Sequence, residues 1–397
     1  MPAPDSQATA ELTADQREWL QVRAYLRQHR RELDQAAAQL YPDTARFAGT
    51  SLLTRPEWVL DAPLSLDQVQ LTWAAGARTS GVTGTEPVAE AVRPRRPDGT
   101  RYPSYAEAMR DLAAPRVFQD RSTYQLRTVA LPGSRPGSNA SAEEARLGFG
   151  PGSYFDGINL GEACAHELAA ARLGTGAGTP LRDAVGDPCD PARRPMNLAV
   201  ATLVIRHDTA TGTADFPLHW RDPAKVGHAG GLYMVMPVGI FQSSAEPHQH
   251  QVNDFSLWRC LIREFAEELL GESEDHDQDV PIDYAAWPTA DRLDQARRDG
   301  QVRAHVLGLG VDPLSLATDL LTVLTVDARW WDEVIGQVAA TNGEGRLAHP
   351  EDADQARSGL FPFTAETVER LTTERPFQSA GAALLRHAWT HRAALLG

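Results

Sequence analysis

An α/β fold is predicted for the C-terminal half of this 397-residue chain, behind an α+β N-terminal region. Three observations carry the prediction. Strand-like apolar runs stand at Met196 to His207, Val302 to Leu309 and Leu320 to Val326. A glycine-flanked apolar segment, Gly230 to Phe241, runs into a helical stretch beginning after Asp254, so the pattern switches from strand to helix periodicity. The chain then closes on segments whose apolar residues, Val368, Leu371, Leu384, Leu385 and Trp389 among them, supply helical faces.

Taken in order, residues 1–12 are small and polar and read as a disordered tail. Trp19, Val22, Leu26, Leu33, Ala37 and Leu40 keep near-helical spacing, which predicts one long helix from a Thr13 cap to the stop at Pro42. Short extended segments follow to Trp73, with Trp58 and Trp73 as packing anchors, then a Gly-, Thr-, Pro- and Arg-rich loop over 76–101. A short helix at Tyr105 to Leu112 and a strand at Tyr124 to Leu131 precede a flexible stretch, Gly133 to Ala142. The glycine run from Gly148 to Gly152 reads as a turn leading into a helix.

Beyond Met196, the strand to His207 has a hairpin partner in Phe216 to Trp220, across Thr-Gly-Thr. Leu320 to Val326 is nearly all apolar, as a central strand would be. Residues 13–190 thus form the N-terminal α+β region and 196–397 the α/β domain with its C-terminal helices.

Composition excludes several classes. A net charge of -15 argues against a nucleic-acid surface. The basic sets Arg23, Arg27, Arg30, Arg31 and Arg93, Arg95, Arg96, Arg101 are short and mixed with acids, so they read as solvated surface. Cys164, Cys189 and Cys260 form no Cys-x-x-Cys pair, which points away from a disulfide framework or zinc knuckle and towards a reducing cytoplasm. No apolar run is long enough to span a membrane, and none resembles a signal peptide.

The chemistry concentrates in the helix after Asp254, with Asp254 as its expected N-cap and Gly271 as its C-terminal cap. Trp258, Ile262, Phe265 and Leu269 form one apolar stripe, while Glu264, Glu267 and Glu268 share the opposite arc with Arg263 beside them. Like charges at i and i+4 cost roughly 0.2–0.5 kcal/mol, so Glu264 over Glu268 calls for solvent or a compensating cation. Three carboxylates on one arc are the hard oxygen donors that Mg²⁺ or Mn²⁺ takes. The solvated face of an amphipathic helix presents the same pattern.

Arg263-Glu264-Phe265-Ala266-Glu267-Glu268 followed by Gly271 resembles the core of the Nudix box, with Gly239 as its leading glycine after the Met236-Pro237-Val238 strand end. The resemblance covers roughly residues 196–395 and implies a Nudix-like α/β/α sandwich with a mixed sheet. It implies Glu267 and Glu268 as metal ligands, Glu264 as a further ligand or base, Arg263 as the residue orienting them, and Glu344 as another acid near the metal. Gly230, Gly231 and Gly239 would border the substrate. Two departures stand beside it: Gly239 and Arg263 are 24 positions apart, a longer loop than the pattern has, and Gly271 comes one residue late. The whole chain is also similar to an uncharacterised actinobacterial group in which such a region often follows a helix-turn-helix module, and no such module is apparent here.

Two further constellations draw the eye. His248 and His250 lie in the enlarged loop and would point the same way if it were extended, able to meet a metal or substrate phosphates; exposed loop histidines are the plainer reading. Asp156, Asn159, Glu162 and His166 are the most polar part of the N-terminal half and a second-site candidate, against a helix merely packed on the domain.

The resemblance implies a divalent-metal-dependent hydrolase of a nucleoside diphosphate linked to another group. The alternatives are a non-catalytic Nudix-fold module that senses a ligand or docks a protein and, third, a DNA-associated regulator. The expected partners are a nucleotide-type small molecule and a second copy of the chain, with no membrane and no nucleic acid.

Overall fold

The computed structural model describes residues 12–47, 49–76, 81–115, 118–132, 145–221, 231–273, 279–336, 345–348 and 359–397. The expected tail, the Gly133 to Ala142 stretch, Gly230 and Glu344 lie outside them.

A seven-stranded mixed sheet organises the molecule. Its order is Val59–Ser65, Val302–Val311, Thr318–Asp327, Leu198–Asp208, Thr213–Phe216 and Phe361–Pro362, with Val238–Ile240 pairing the other end of Leu198–Asp208. Thr318–Asp327 and Leu198–Asp208 run parallel in the centre, and their neighbours are antiparallel. The nearly all-apolar run at Leu320 is buried throughout, as a strand covered on both faces must be.

Strand alternation divides the core. Val200, Val204, Leu320 and Leu324 share a cluster with Ile262, Phe265 and Leu269 of the helix Leu257–Leu270. Ala201, Leu203, Ile205, Leu321 and Val323 instead meet Ala383, Leu384 and Leu385 of the helix Ser379–Thr390. Helices therefore cover both faces of a mixed sheet, the α/β/α layering expected. Each buried Leu, Ile or Phe contributes about 1.5–3 kcal/mol of burial free energy, so the layers hold chiefly through these stripes.

The N-terminal region is not packed apart from this sheet, because it supplies the edge strand Val59–Ser65. Trp58 and Leu60 join the same cluster as Val306 and Leu309. Val69–Trp73, Ala145–Ser153 and Ser122–Ala130 make a separate three-stranded sheet.

Several expectations change here. The long N-terminal helix is two, Ala14–Gln28 and Arg30–Ala38, broken at His29, while the Thr13 capping box forms as expected. The glycine run is the strand Ala145–Ser153 rather than a turn: a Cβ on Gly148 would sit 2.2 Å from Thr128 Oγ1 and one on Gly152 2.7 Å from Gln125 Cβ, so glycine admits a close neighbouring strand. The hairpin partner is Thr213–Phe216, and His219–Arg221 leaves for another sheet with Tyr233–Met234 and Gly345–Leu347. Trp58 is an anchor, but Trp73 is 44% exposed. Pro288–Arg298 forms a further helix, with Pro at its first turn. Among the described residues no helix is long and apolar enough to cross a membrane.

Candidate functional site

The helix Leu257–Leu270 carries the acids, and its ends follow from local chemistry. Ser256 accepts a hydrogen bond from the Arg259 N–H, and Gly271 closes the helix at φ 71°, a left-handed conformation suited to glycine. Asp254 is thus not the N-cap. It lies fully buried one turn earlier, where Ser244 N–H and Oγ donate to its Oδ2 at 2.7 and 2.6 Å and Tyr284 Oη donates to its Oδ1 at 2.8 Å.

Arg263 completes this network. It donates to Tyr284 Oη at 2.7 Å and to the Gln242 carbonyl at 2.6 Å, and its guanidinium lies 3.5 Å from Asp254. Burial works against both charges, yet each stabilises the other. The Arg263 pKa therefore rises with Tyr284, Cys260 and Asp254 nearby, and Asp254 falls below the usual carboxylate range beside Arg263 and its hydrogen-bond donors. The enlarged loop is tied to the helix through this pair.

On the helix's other arc, Glu264 and Glu268 meet the strand end at Val238 and Gly239, with Glu267 on the same helix. Glu268 is 4% exposed and accepts from the Val238 N–H at 3.1 Å. A Cβ on Gly239 would fall 1.9 Å from Glu264 Cδ, so the absent side chain of the glycine makes the notch that seats this carboxyl group. Glu264 and Glu267 are half-buried. Gly239 and its neighbours pair with Leu198–Asp208, which fixes the notch to the sheet centre.

Other candidates sort differently. Gly231 is a half-buried turn residue at φ 83°. His248 and His250 stand on a short helix, His248–Asn253, not on an extended loop, so they diverge. His248 is exposed, whereas His250 is fully buried with Nδ1 3.2 Å from Ser244 Oγ. Glu246, in the same loop, accepts from Ser122 N–H and Oγ at 2.9 and 2.6 Å.

The N-terminal polar set is dispersed among structural tasks. Asp156 caps the backbone of Ser153, and Asn159 Oδ1 accepts from the Ala106 N–H. Glu162 is buried at the end of a π-helical turn, with Arg23 at 2.5 Å and Arg30 at 3.8 Å. His166 stacks on Trp19, and Tyr105 Oη lies 3.1 Å from its Nδ1. Burial and Arg23 push the His166 pKa down to about 3, so its ring is neutral. Arg23 and Arg30 are consequently core residues, not the solvated surface expected of them.

Sequence reasoning missed Tyr284 and the Gln242 carbonyl as partners of Arg263 and Ser244 as a partner of Asp254, none of which shares the helix. Among the described residues, no three His, Cys, Asp or Glu side chains are gathered as a ready metal-ligand group.

No protein-family model matches the sequence. None of the curated proteins matches it either. Among solved structures, the chain is similar to a NUDIX hydrolase from Alicyclobacillus acidocaldarius, with 18% identity, 48% of this chain and 90% of that chain covered, and a TM-score of 0.24.

Proposed function

We propose that the acid helix and its strand end form a Nudix-like site for a divalent-metal-dependent hydrolase of a nucleoside diphosphate linked to another group. The Gly239 notch carries this reading, because it seats Glu264 against the same strand end whose Val238 N–H holds Glu268. Three carboxylates are hard donors of the kind Mg²⁺ or Mn²⁺ takes, and the cleared backbone at Gly239 suits such a centre in kind. Glu264, Glu267 and Glu268 would hold the ion, with rotation of these long side chains bringing their oxygens together. When bound, the ion would supply charge neutralisation at phosphate and a more acidic water.

This chain's own groups do the positioning. Arg263 is spent on Tyr284, Gln242 and Asp254, so it fixes the helix against the enlarged loop. The Val238 N–H orients Glu268, and the half-buried Glu267 keeps the arc open to solvent.

A panel of nucleoside diphosphate sugars, dinucleotides and nucleoside triphosphates with Mg²⁺ or Mn²⁺ tests the reading by product release. Glu268→Gln and Glu267→Gln should lower turnover at least ~100-fold while leaving the melting temperature within a few degrees, since Gln keeps an acceptor for Val238. Full turnover in both variants, or no turnover in the wild type with either metal, sinks it.

One observation favours a second reading, a non-catalytic ligand-sensing module: no ready group of three donors is gathered among the described residues. Stabilisation by a nucleotide without product release would select that alternative.

A further inference from the structure

A cleft of about 630 Å³ opens on the face of the sheet opposite the acid helix. One wall comes from the helix Arg30–Ala38 and the segment around Phe47 to Ser51, the other from residues 372–382 of the C-terminal helices and their connection. Its size is that of a pocket for a small organic ligand.

The cleft's charge is set by its floor. Asp34 lines it, accepting from Ser51 Oγ at 2.5 Å, and on its inner side it meets Asp312. Asp312 is 6% exposed and already clamped: Ser379 Oγ donates to it at 2.7 Å, as do the Ser315 N–H at 2.8 Å and the Ser315 Oγ at 2.7 Å. A desolvated carboxyl group beside another carboxyl is pushed towards its neutral form. Burial and the neighbouring Asp312 push Asp34 up to about 8, so Asp34 presents a neutral carboxyl group.

Three guanidinium groups, of Arg31, Arg46 and Arg375, then stand over a lining whose other acid is Asp43. Arg46 pairs with Asp43. Arg31 crosses the cleft to the Thr373 and Glu374 carbonyls at 2.7 and 3.2 Å, which are neutral partners and do not cancel its charge. Phe377, stacked on Tyr233, adds an aromatic surface beside Arg375. Guanidinium forks beside hydroxyl groups recognise phosphate oxygens, and an aromatic ring accepts a planar base.

We propose that this cleft is a second ligand site, for a nucleotide-sized organic phosphate whose oxygens meet Arg31 and Arg375 and whose planar group lies against Phe377. The site is independent of any chemistry at the acid helix. Because its walls belong to the two ends of the chain, occupancy clamps the N-terminal helices onto the C-terminal ones.

Calorimetry and thermal unfolding of the full chain with AMP, ADP, adenosine and inorganic phosphate test this. AMP or ADP should bind with a Kd below about 1 mM and raise Tm. Adenosine and inorganic phosphate should each bind at least tenfold more weakly. Arg31→Gln and Arg375→Gln, which retain a hydrogen-bond donor, should each weaken AMP at least tenfold, and Glu268→Gln should leave it unchanged. Two variants guard against one failing to fold. The proposal is overturned if neither nucleotide binds, if phosphate alone matches AMP, or if Glu268→Gln abolishes binding that both arginine variants retain.

Discussion

The two faces of the central sheet handle carboxylates in opposite ways. Against one face, Glu264, Glu267 and Glu268 come from a single helix, and Glu264 and Glu268 meet a strand end through a glycine notch and one backbone N–H. Against the other, Asp34 comes from the N-terminal helices and meets Asp312, which with Asp319 lies nearly three hundred residues further along the chain. Asp319 is 3% exposed, and burial followed by the Asp312 charge pushes it up to about 7. Helical periodicity puts acids on one arc, where Glu264 and Glu267 stay half-buried. Convergence of distant segments puts acids beside one another in low dielectric, where protons become part of the structure.

The largest effect should come from cutting the network that ties the enlarged loop to the acid helix. Asp254→Ala leaves the Arg263 guanidinium, 9% exposed at its side chain, without its carboxylate. Loss of one partner of a buried pair costs about 3–5 kcal/mol. Denaturant unfolding measures it, and a loss below about 1 kcal/mol would mean that Tyr284 and the Gln242 carbonyl suffice and that the two faces differ less than their geometry says.

A smaller effect should appear with pH on the opposite face. Asp34 and Asp319 have folded pKa values above their unfolded ones, so the folded state binds more protons. Their contribution is full below the unfolded carboxylate range and is lost as pH rises through about 7 and 8. Wild-type stability should fall by about 1–3 kcal/mol between pH 6 and 9 from these groups. Asp319→Asn should flatten that slope and raise Tm at pH 9. An unchanged slope in both Asp319→Asn and Asp34→Asn would remove the protonated cluster from this comparison.

The smallest stability effect, and the most selective, belongs to Gly239→Ala. The three atoms nearest the new methyl all belong to the flexible end of Glu264, so stability should move by less than about 1 kcal/mol while the carboxyl group is driven from its notch. Turnover in the nucleotide panel should fall at least ~10-fold. Gly161→Ala provides the contrast, since its Cβ would meet the Ser315 backbone carbonyl at 2.0 Å, and about 1–3 kcal/mol of destabilisation is expected. Equal melting curves for the two variants would show that the notch is no softer than a backbone contact.

Much of the sheet was legible from pattern. Leu320 to Val326 reads as central because it is nearly all apolar, and it is buried on both faces. The acid helix reads from its stripe and from Gly271. What escaped are features whose cause lies elsewhere in the chain. Asp254 looks like a cap until Arg263 and Tyr284 draw it inward. The glycines at 148–152 look like a turn until the Thr128 and Gln125 side chains occupy the space their Cβ atoms would need. Arg23 and Arg30 look solvated until Glu162, more than a hundred residues away, pairs with them.

From the sequence alone came the type of most long elements, the mixed α/β class and the arc of acids on one helix, because strand alternation and helical spacing are local and repeat within a few residues. Only the tertiary structure decided which ionisable groups carry charge, which glycines are cleared for a neighbour and where a cleft opens. Those properties depend on what a distant segment brings within a few ångströms, and desolvation and Coulomb interaction act over that distance whatever the separation along the chain.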